Sequence, residues 1–260
     1  MLSKNQLKHI ASLQLKKYRE LYGEFVAEGE KSVTELLGST FELKELFALA
    51  SWLLENAALM NKHRIKVHEI SPHELERIST FKTPNKVVAL AAIPQTPDRS
   101  TDMFSDLILA LDNIRDPGNL GTIIRTADWF GIRHIVCSPG CVDAYNPKVV
   151  QSSMGSITRT NLYYIELAEF IQSAPAGMVT YGCLLDGRNI HTISLKSPAI
   201  IIIGNESNGI SAELLPLITE RLRIPSFSPD SKVSGQAESL NASLANAIVC
   251  YEFRRRLTIN

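Results

Sequence analysis

At 260 residues the chain is long enough for one large or two modest domains, and 45% hydrophobic with 21% charged residues excludes a disordered chain or a coiled coil. The 27 basic and 27 acidic side chains cancel, so a polyanion has to be held by a local cluster and not by overall charge. Four cysteines without C-x-x-C spacing and six histidines without H-x-x-x-H give no zinc or disulfide pattern, and no apolar run is long enough to cross a bilayer; no metal, no membrane and a reduced, cytoplasmic setting are expected.

From Lys4 to Leu21, the apolar positions Leu7, Ile10, Ala11, Leu15, Tyr18 and Leu21 recur at helical spacing, with Lys4, Lys8, Lys16, Lys17 and Arg19 between them. The spacing predicts one basic amphipathic helix, either a solvated face or a contact for RNA phosphates. A strand (Phe25–Ala27), a helix (Glu30–Leu37), a strand (Leu46–Ala50), a helix (Trp52–Met60) and a strand (Ile65–Ile70) follow. Ser71, Pro72 and Glu74 open a helix to about Ile78 with the chemistry of a capping box, and Val87–Ile93 closes the series as a strand. Asn61-Lys62-His63-Arg64 forms a second basic cluster. This is a small α/β domain, residues 1–95, and the short polar stretch with two prolines after it places a linker at 96–103.

Beyond the linker, Leu107–Leu111 reads as a buried strand broken at Asp116-Pro117-Gly118, with a helix beginning at Asn119 as its cap and stopped at Gly131. Leu120, Ile123, Ile124 and Ala127 form its apolar face, while Gly121, Arg125 and Asp128 share another, either a surface pair or a site. Strands at His134–Cys137, Met178–Leu185, Ala199–Ile203 and Arg221–Ile224 alternate with helices from Asn146-Pro147, over Glu166–Ser173, from Ser211 to about Leu217, and from about Ser239 to Arg256. The apolar runs Leu107–Leu111 and Ala199–Ile203 predict a parallel sheet covered on both faces, residues 104–260. No phosphate-loop, dinucleotide or nucleophile-elbow motif is present.

Ligands of parallel sheets collect at the carboxyl ends of strands, where three clusters stand: Asn119 with Arg125, Gly204-Asn205-Glu206, and Ile224-Pro225 followed by Ser239-Leu240-Asn241. Taken singly, each reads equally well as a cap or turn. Together, and in this order, they resemble the three motifs of the SpoU (TrmH-type) RNA 2′-O-ribose methyltransferases, and 17–31 is similar to the opening of that family's substrate-binding domain. The resemblance implies a catalytic domain with a trefoil knot, S-adenosylmethionine held by Gly204, Ile224 and Leu240, and a homodimer. It further implies catalysis by Asn119, Arg125, Glu206, Ser239 and Asn241. A guanidinium is not an ordinary base, so Arg125 is expected to grip the target phosphate and stabilise charge on the oxygen, with Glu206 fixing its loop through backbone donors. Lys16, Lys17, Arg19, Lys62 and Arg64 are the expected RNA contacts. Ribosomal RNA is the expected substrate and tRNA the runner-up; a non-catalytic RNA-binding or ribosome-assembly factor is the reading from another class. The stretch 226–238 is longer than the family's usual loop, which bears on the rim of the cofactor pocket.

Overall fold

The computed structural model describes residues 2–60, 64–96, 101–227 and 239–257. They fall into two compact units, Met1–Gln95 with Asp143–Thr158, and Thr96–Val142 with Arg159–Asn260.

The first unit opens with α1 (Lys4–Ser12), whose Ser3 cap and Gln6 exchange the two hydrogen bonds of a capping box, and α2 (Lys16–Tyr22). One helix was expected here and two are found. Ser12 Oγ donates back to His9 O at 2.7 Å, and Arg19 Nη1 donates to the carbonyls of Leu13 (2.8 Å) and Gln14 (3.0 Å), which satisfies the carbonyls left open where α1 ends. Arg19 is therefore no phosphate contact. It is 2% exposed, and its Nε and Nη2 donate to Asp143 Oδ2 at 2.8 and 2.6 Å. Strand β1 (Glu24–Glu28), helix α3 (Glu30–Leu37), strand β2 (Leu43–Ala48), helices α4 (Ala50–Glu55) and α5 (Ala57–Met60), strand β3 (Lys66–Glu69), helix α6 (Pro72–Ile78) and strand β4 (Val87–Ala92) complete this part. The sheet order is β1-β4-β2-β3, antiparallel except for β2 with β3. Ile10, Leu13, Val26, Phe47, Val88 and Leu90 fill its core.

The second unit begins with β5 (Leu107–Leu111), α7 (Pro117–Trp129) and β6 (His134–Cys137). The chain then supplies α8 (Pro147–Ser153) to the first unit, where Tyr145 lies 4.9 Å from the Phe25 ring. It returns as β7 (Asn161–Tyr164), α9 (Leu167–Gln172), β8 (Val179–Asn189), β9 (Ala199–Ile203), β10 (Glu220–Arg223) and α10 (Ala242–Leu257). Strand β7 is an addition to the expected elements. The expected helix after Ser211 is instead a turn ending in a single 3₁₀ turn, Leu215–Leu217, because Pro216 withholds the donor an α-helix requires.

All pairings in this six-stranded sheet are parallel, in the order β10-β8-β9-β5-β6-β7. Every residue of β5 and β9 is buried, which is why both read as unbroken apolar runs. The chain starts at β5, builds outward to β7, and resumes on the other side, so its direction reverses between β5 and β9. That reversal leaves a crevice at their carboxyl ends. No helix of the described residues is long and apolar enough to cross a membrane.

The start of α7 corrects the expected cap. Asp116, not Asn119, is the N-cap: its Oδ1 accepts from Asn119 N at 2.8 Å, with Pro117 at the first helical position. Capping by Asp116 frees the Asn119 side chain for other use.

Candidate active site

The carboxyl ends of β8, β9 and β10 surround a cavity of about 550 Å³. After β9 the backbone doubles back on itself: Asn205 N donates to Gly209 O and Gly209 N to Asn205 O, both at 2.9 Å. The returning strand lies so close that a Cβ on Gly204 would sit 2.5 Å from Gly209 O and 2.6 Å from Ile210 N, so only glycine fits. Asn205 holds the turn. Its Oδ1 accepts from Ser207 N at 2.9 Å and Asn208 N at 3.2 Å, while its Nδ2 donates to Asn113 O at 2.8 Å. The role expected of Glu206, fixing the loop through backbone donors, thus belongs to Asn205.

Asp112, absent from the expected site residues, braces the other end of this loop. It is 2% exposed, and its Oδ2 accepts from Ser211 N at 2.6 Å. The signal was a carboxylate directly after an apolar strand, a place where burial demands a partner.

Three segments meet at Asn119. Its Nδ2 donates to Glu206 Oε1, and its Oδ1 accepts from Asn241 Nδ2 at 2.9 Å. A carboxylate only accepts, so Glu206 fixes which way the Asn119 amide faces and, through it, that of Asn241. Asn241 Oδ1 then accepts from Ser243 Oγ (2.6 Å), Ser243 N (3.0 Å) and Leu244 N (3.4 Å), capping α10. Every donor in this chain points the same way, from the positive end of α10 toward Glu206, so each bond polarises the next.

The structure brings Gly204, Glu206, Ile224, Ser239 and Leu240 together on the cavity wall. Ser239 precedes the cap of α10 and is no cap itself. Arg125 projects from the solvent side of α7, and among the described residues it forms no hydrogen bond or ion pair. Its neighbour Asp128 is taken by Arg159, whose Nε and Nη2 donate to the carboxylate at 2.8–3.1 Å. The basic residues assigned to RNA belong to the first unit and not to this cavity. Lys16 pairs with Glu20 at 3.6 Å, Lys17 Nζ sits 4.7 Å over the Tyr18 ring, and Arg64 is exposed. Lys62 and most of the long loop, 228–238, lie outside the described residues.

Residues 106–251, more than half the chain, match the family model of the SpoU rRNA methylase family. The chain belongs to the SpoU family. Residues 4–89 match an MRM3-like substrate binding domain. Along 97% of its own length and 97% of the relative's, this SpoU chain is 31% identical to the 23S rRNA (guanosine(2553)-2′-O)-methyltransferase RlmP of Bacillus subtilis. Among solved structures it is similar to a TrmH-family chain from Porphyromonas gingivalis, at 39% identity, 98% and 99% coverage and a TM-score of 0.85. It is also similar to the AdoMet-bound rRNA methyltransferase from Sinorhizobium meliloti, at 30% identity, 99% and 97% coverage and a TM-score of 0.84.

As a SpoU member the protein is an S-adenosylmethionine-dependent methyltransferase. The lining fits such a cofactor: the cavity is of small-ligand size and is lined by the polar turn within 203–210 together with the apolar Leu215, Ile224 and Leu240.

Proposed function

We propose that the protein transfers a methyl group from S-adenosylmethionine to a ribose 2′-hydroxyl of large-subunit ribosomal RNA. In this reading residues 1–95 select the RNA and residues 104–260 carry out the chemistry, with Gly204, Ile224 and Leu240 holding the cofactor. The observation that carries it is the meeting of three post-strand segments at Asn119 while Arg125, among the described residues, forms no hydrogen bond or ion pair. A purely structural arginine would be engaged by the acid one turn away.

The bound cofactor supplies a methyl already activated on a sulfonium centre. The protein's task is alignment and charge: a 2′-hydroxyl is a weak nucleophile, and developing negative charge on it needs a fixed cationic donor. Arg125 grips the phosphate beside the target ribose and stabilises that oxygen, and the phosphate or a water takes the proton, since a guanidinium stays protonated. Asn119, Asn241, Ser239 and Glu206 position the ribose against the cavity, with the two asparagine amides held in one orientation by the Glu206 carboxylate.

Two further parts of the reading concern assembly. A stripe of exposed apolar side chains on α10 (Leu244, Ile248, Tyr251), with Leu240 before it and Trp129 on α7, suits a homodimer interface beside the site. We extend to this chain the family's trefoil knot, threaded by the final segment, and a cytoplasmic location. The test is single-turnover transfer of labelled methyl to purified ribosomal RNA and to tRNA, followed by mapping of ribose methylation. Label in tRNA alone moves the target, and label in neither favours an RNA-binding factor.

A further inference from the structure

We infer that the first unit carries a base-stacking platform on α2 that takes one unstacked nucleotide of a single-stranded RNA segment. The inference rests on the reading that this unit holds the RNA, and it names where and how.

The rings form a connected set. Tyr18 and Tyr22, one turn apart on α2, are parallel within 12° at a centroid distance of 6.2 Å, and the His9 ring stands edge-on to Tyr22 at 4.7 Å and 68°. His9 is itself tied to Glu24 through Nε2 at 2.7 Å, which fixes the back of the set. Tyr22 is 46% exposed, a large ring open to solvent at the end of a short helix. Gly23 follows it in the left-handed region, φ 63°, so the chain turns away immediately. Arg19 fixes the helix's orientation by reaching inward to Asp143, which leaves Lys17 and Leu21 outermost with the tyrosines beside them.

Charge makes the occupant a nucleic acid. The exposed charged residues of α1 and α2 are Lys4, Lys8, Lys16 and Lys17 against the single acid Glu20, which Lys16 engages. Lys4, Lys8 and Lys17 have no carboxylate partner among the described residues, and Lys17 rests instead on the Tyr18 face. Aromatic faces that accept bases of any identity, interleaved with cations that follow the backbone, are the arrangement single-stranded nucleic acid requires. A phosphate would draw Lys17 away from Tyr18 and uncover that ring. The platform gives grip on an unpaired segment and leaves sequence choice to other contacts.

The experiment uses the full-length protein and a 12-nucleotide single-stranded RNA carrying one 2-aminopurine, with the same RNA made abasic at that position as its control. Wild-type protein should quench the 2-aminopurine and bind the abasic RNA about 5- to 150-fold more weakly. Tyr22→Phe should keep the quench, and Tyr22→Leu should lose it with a similar drop in affinity. S-adenosylmethionine titration and the mass from light scattering should be the same for all three proteins. Equal binding of the abasic RNA, quenching that survives Tyr22→Leu, or a Tyr22→Leu protein of altered oligomeric mass each overturns the platform. Methyl transfer to ribosomal RNA by the wild type is scored separately: transfer without quenching sinks the platform alone, and quenching without transfer sinks only the assigned activity.

Discussion

Asp128 is held by Arg159, 31 residues further along the chain, and not by Arg125 on its own helix. This pairing leaves Arg125 without an ion pair among the described residues. Arg125→Ala should therefore lower methyl transfer on the order of a hundredfold or more while changing stability by less than about 1 kcal/mol, since no cavity opens. Arg125→Lys should fail almost as badly, because a point charge does not reproduce the two-pronged grip on a phosphate. Single-turnover rates beside melting temperatures decide; near wild-type transfer by Arg125→Ala removes Arg125 from the mechanism.

The Glu206–Asn119–Asn241 chain should act as a unit. Asn119→Ala and Asn241→Ala are each expected to slow transfer, and the double variant should be little worse than either, with a coupling of about 0.5–3 kcal/mol in the double-mutant cycle. Strict additivity of the two effects would mean that Asn119 does not orient Asn241.

Gly204→Ala tests the tight return of the chain after β9. The added methyl meets the Gly209 backbone and not a flexible side chain, so relief requires the loop to move, at about 1–3 kcal/mol. The loop lines the cavity, so cofactor affinity measured by calorimetry should fall about tenfold or more. Unchanged affinity would show that the loop's position is not what sets binding.

At the far end of α10, Glu252 accepts from Arg255 at 2.9 Å and from Arg256, with His191 at 3.3 Å, and Arg256 also donates to Ile193 O at 2.6 Å and Ile190 O at 2.9 Å. Hydrogen bonding, from Arg255 above all, holds the Glu252 carboxyl at about 2, well below its ordinary 4.5. A folded-state value below the unfolded one contributes stability that is full above about pH 4.5 and lost as pH falls toward about 2. Glu252→Gln should melt lower than wild type at pH 7, and the gap should narrow on acidification across that window. A constant gap from pH 7 to pH 3 would assign the stability to packing.

Arg19→Met should behave differently from any surface lysine variant. Methionine fills the space of the arginine stem but leaves the mostly buried Asp143 without its cation, at a cost of about 3–5 kcal/mol. Lys17→Ala should barely move the melting temperature and should lower the salt slope of RNA binding by about one. A melting temperature unaffected by Arg19→Met would return that residue to the surface.

What the residues made legible followed from local physics. Leu107–Leu111 and Ala199–Ile203 are apolar at every position, and only a strand buried on both faces needs that. The three clusters after strands could be read in order, and the structure joins two of them to the third through Asn119. Asn119 reads as a cap because asparagine caps well; Asp116 three residues earlier, followed by proline, caps the helix one turn sooner by accepting from Asn119 N itself. Strand β7 is four residues long, lies at the sheet edge and is largely part-exposed, so it carries no periodicity to detect. The Arg19–Asp143 pair spans 124 residues, and no local pattern distinguishes an arginine that will reach inward from one that will face solvent.

The allotment of Asp143–Thr158 to the first unit bears on how this protein can be taken apart. The chain passes between units at residues 95/96, 142/143 and 158/159, so no single cut separates them. A fragment starting at Thr96 would carry α8 without β1, stranding Val149, Val150 and Ile157 in water beside an unpaired Asp143. Exchange of the first unit with that of a relative would likewise need two grafts made together, one for residues 1–95 and one for the segment between β6 and β7. Residues 1–95 and 143–158 are consequently bound to vary as one heritable piece, and a recombinant that swaps only 1–95 should be insoluble before it is inactive.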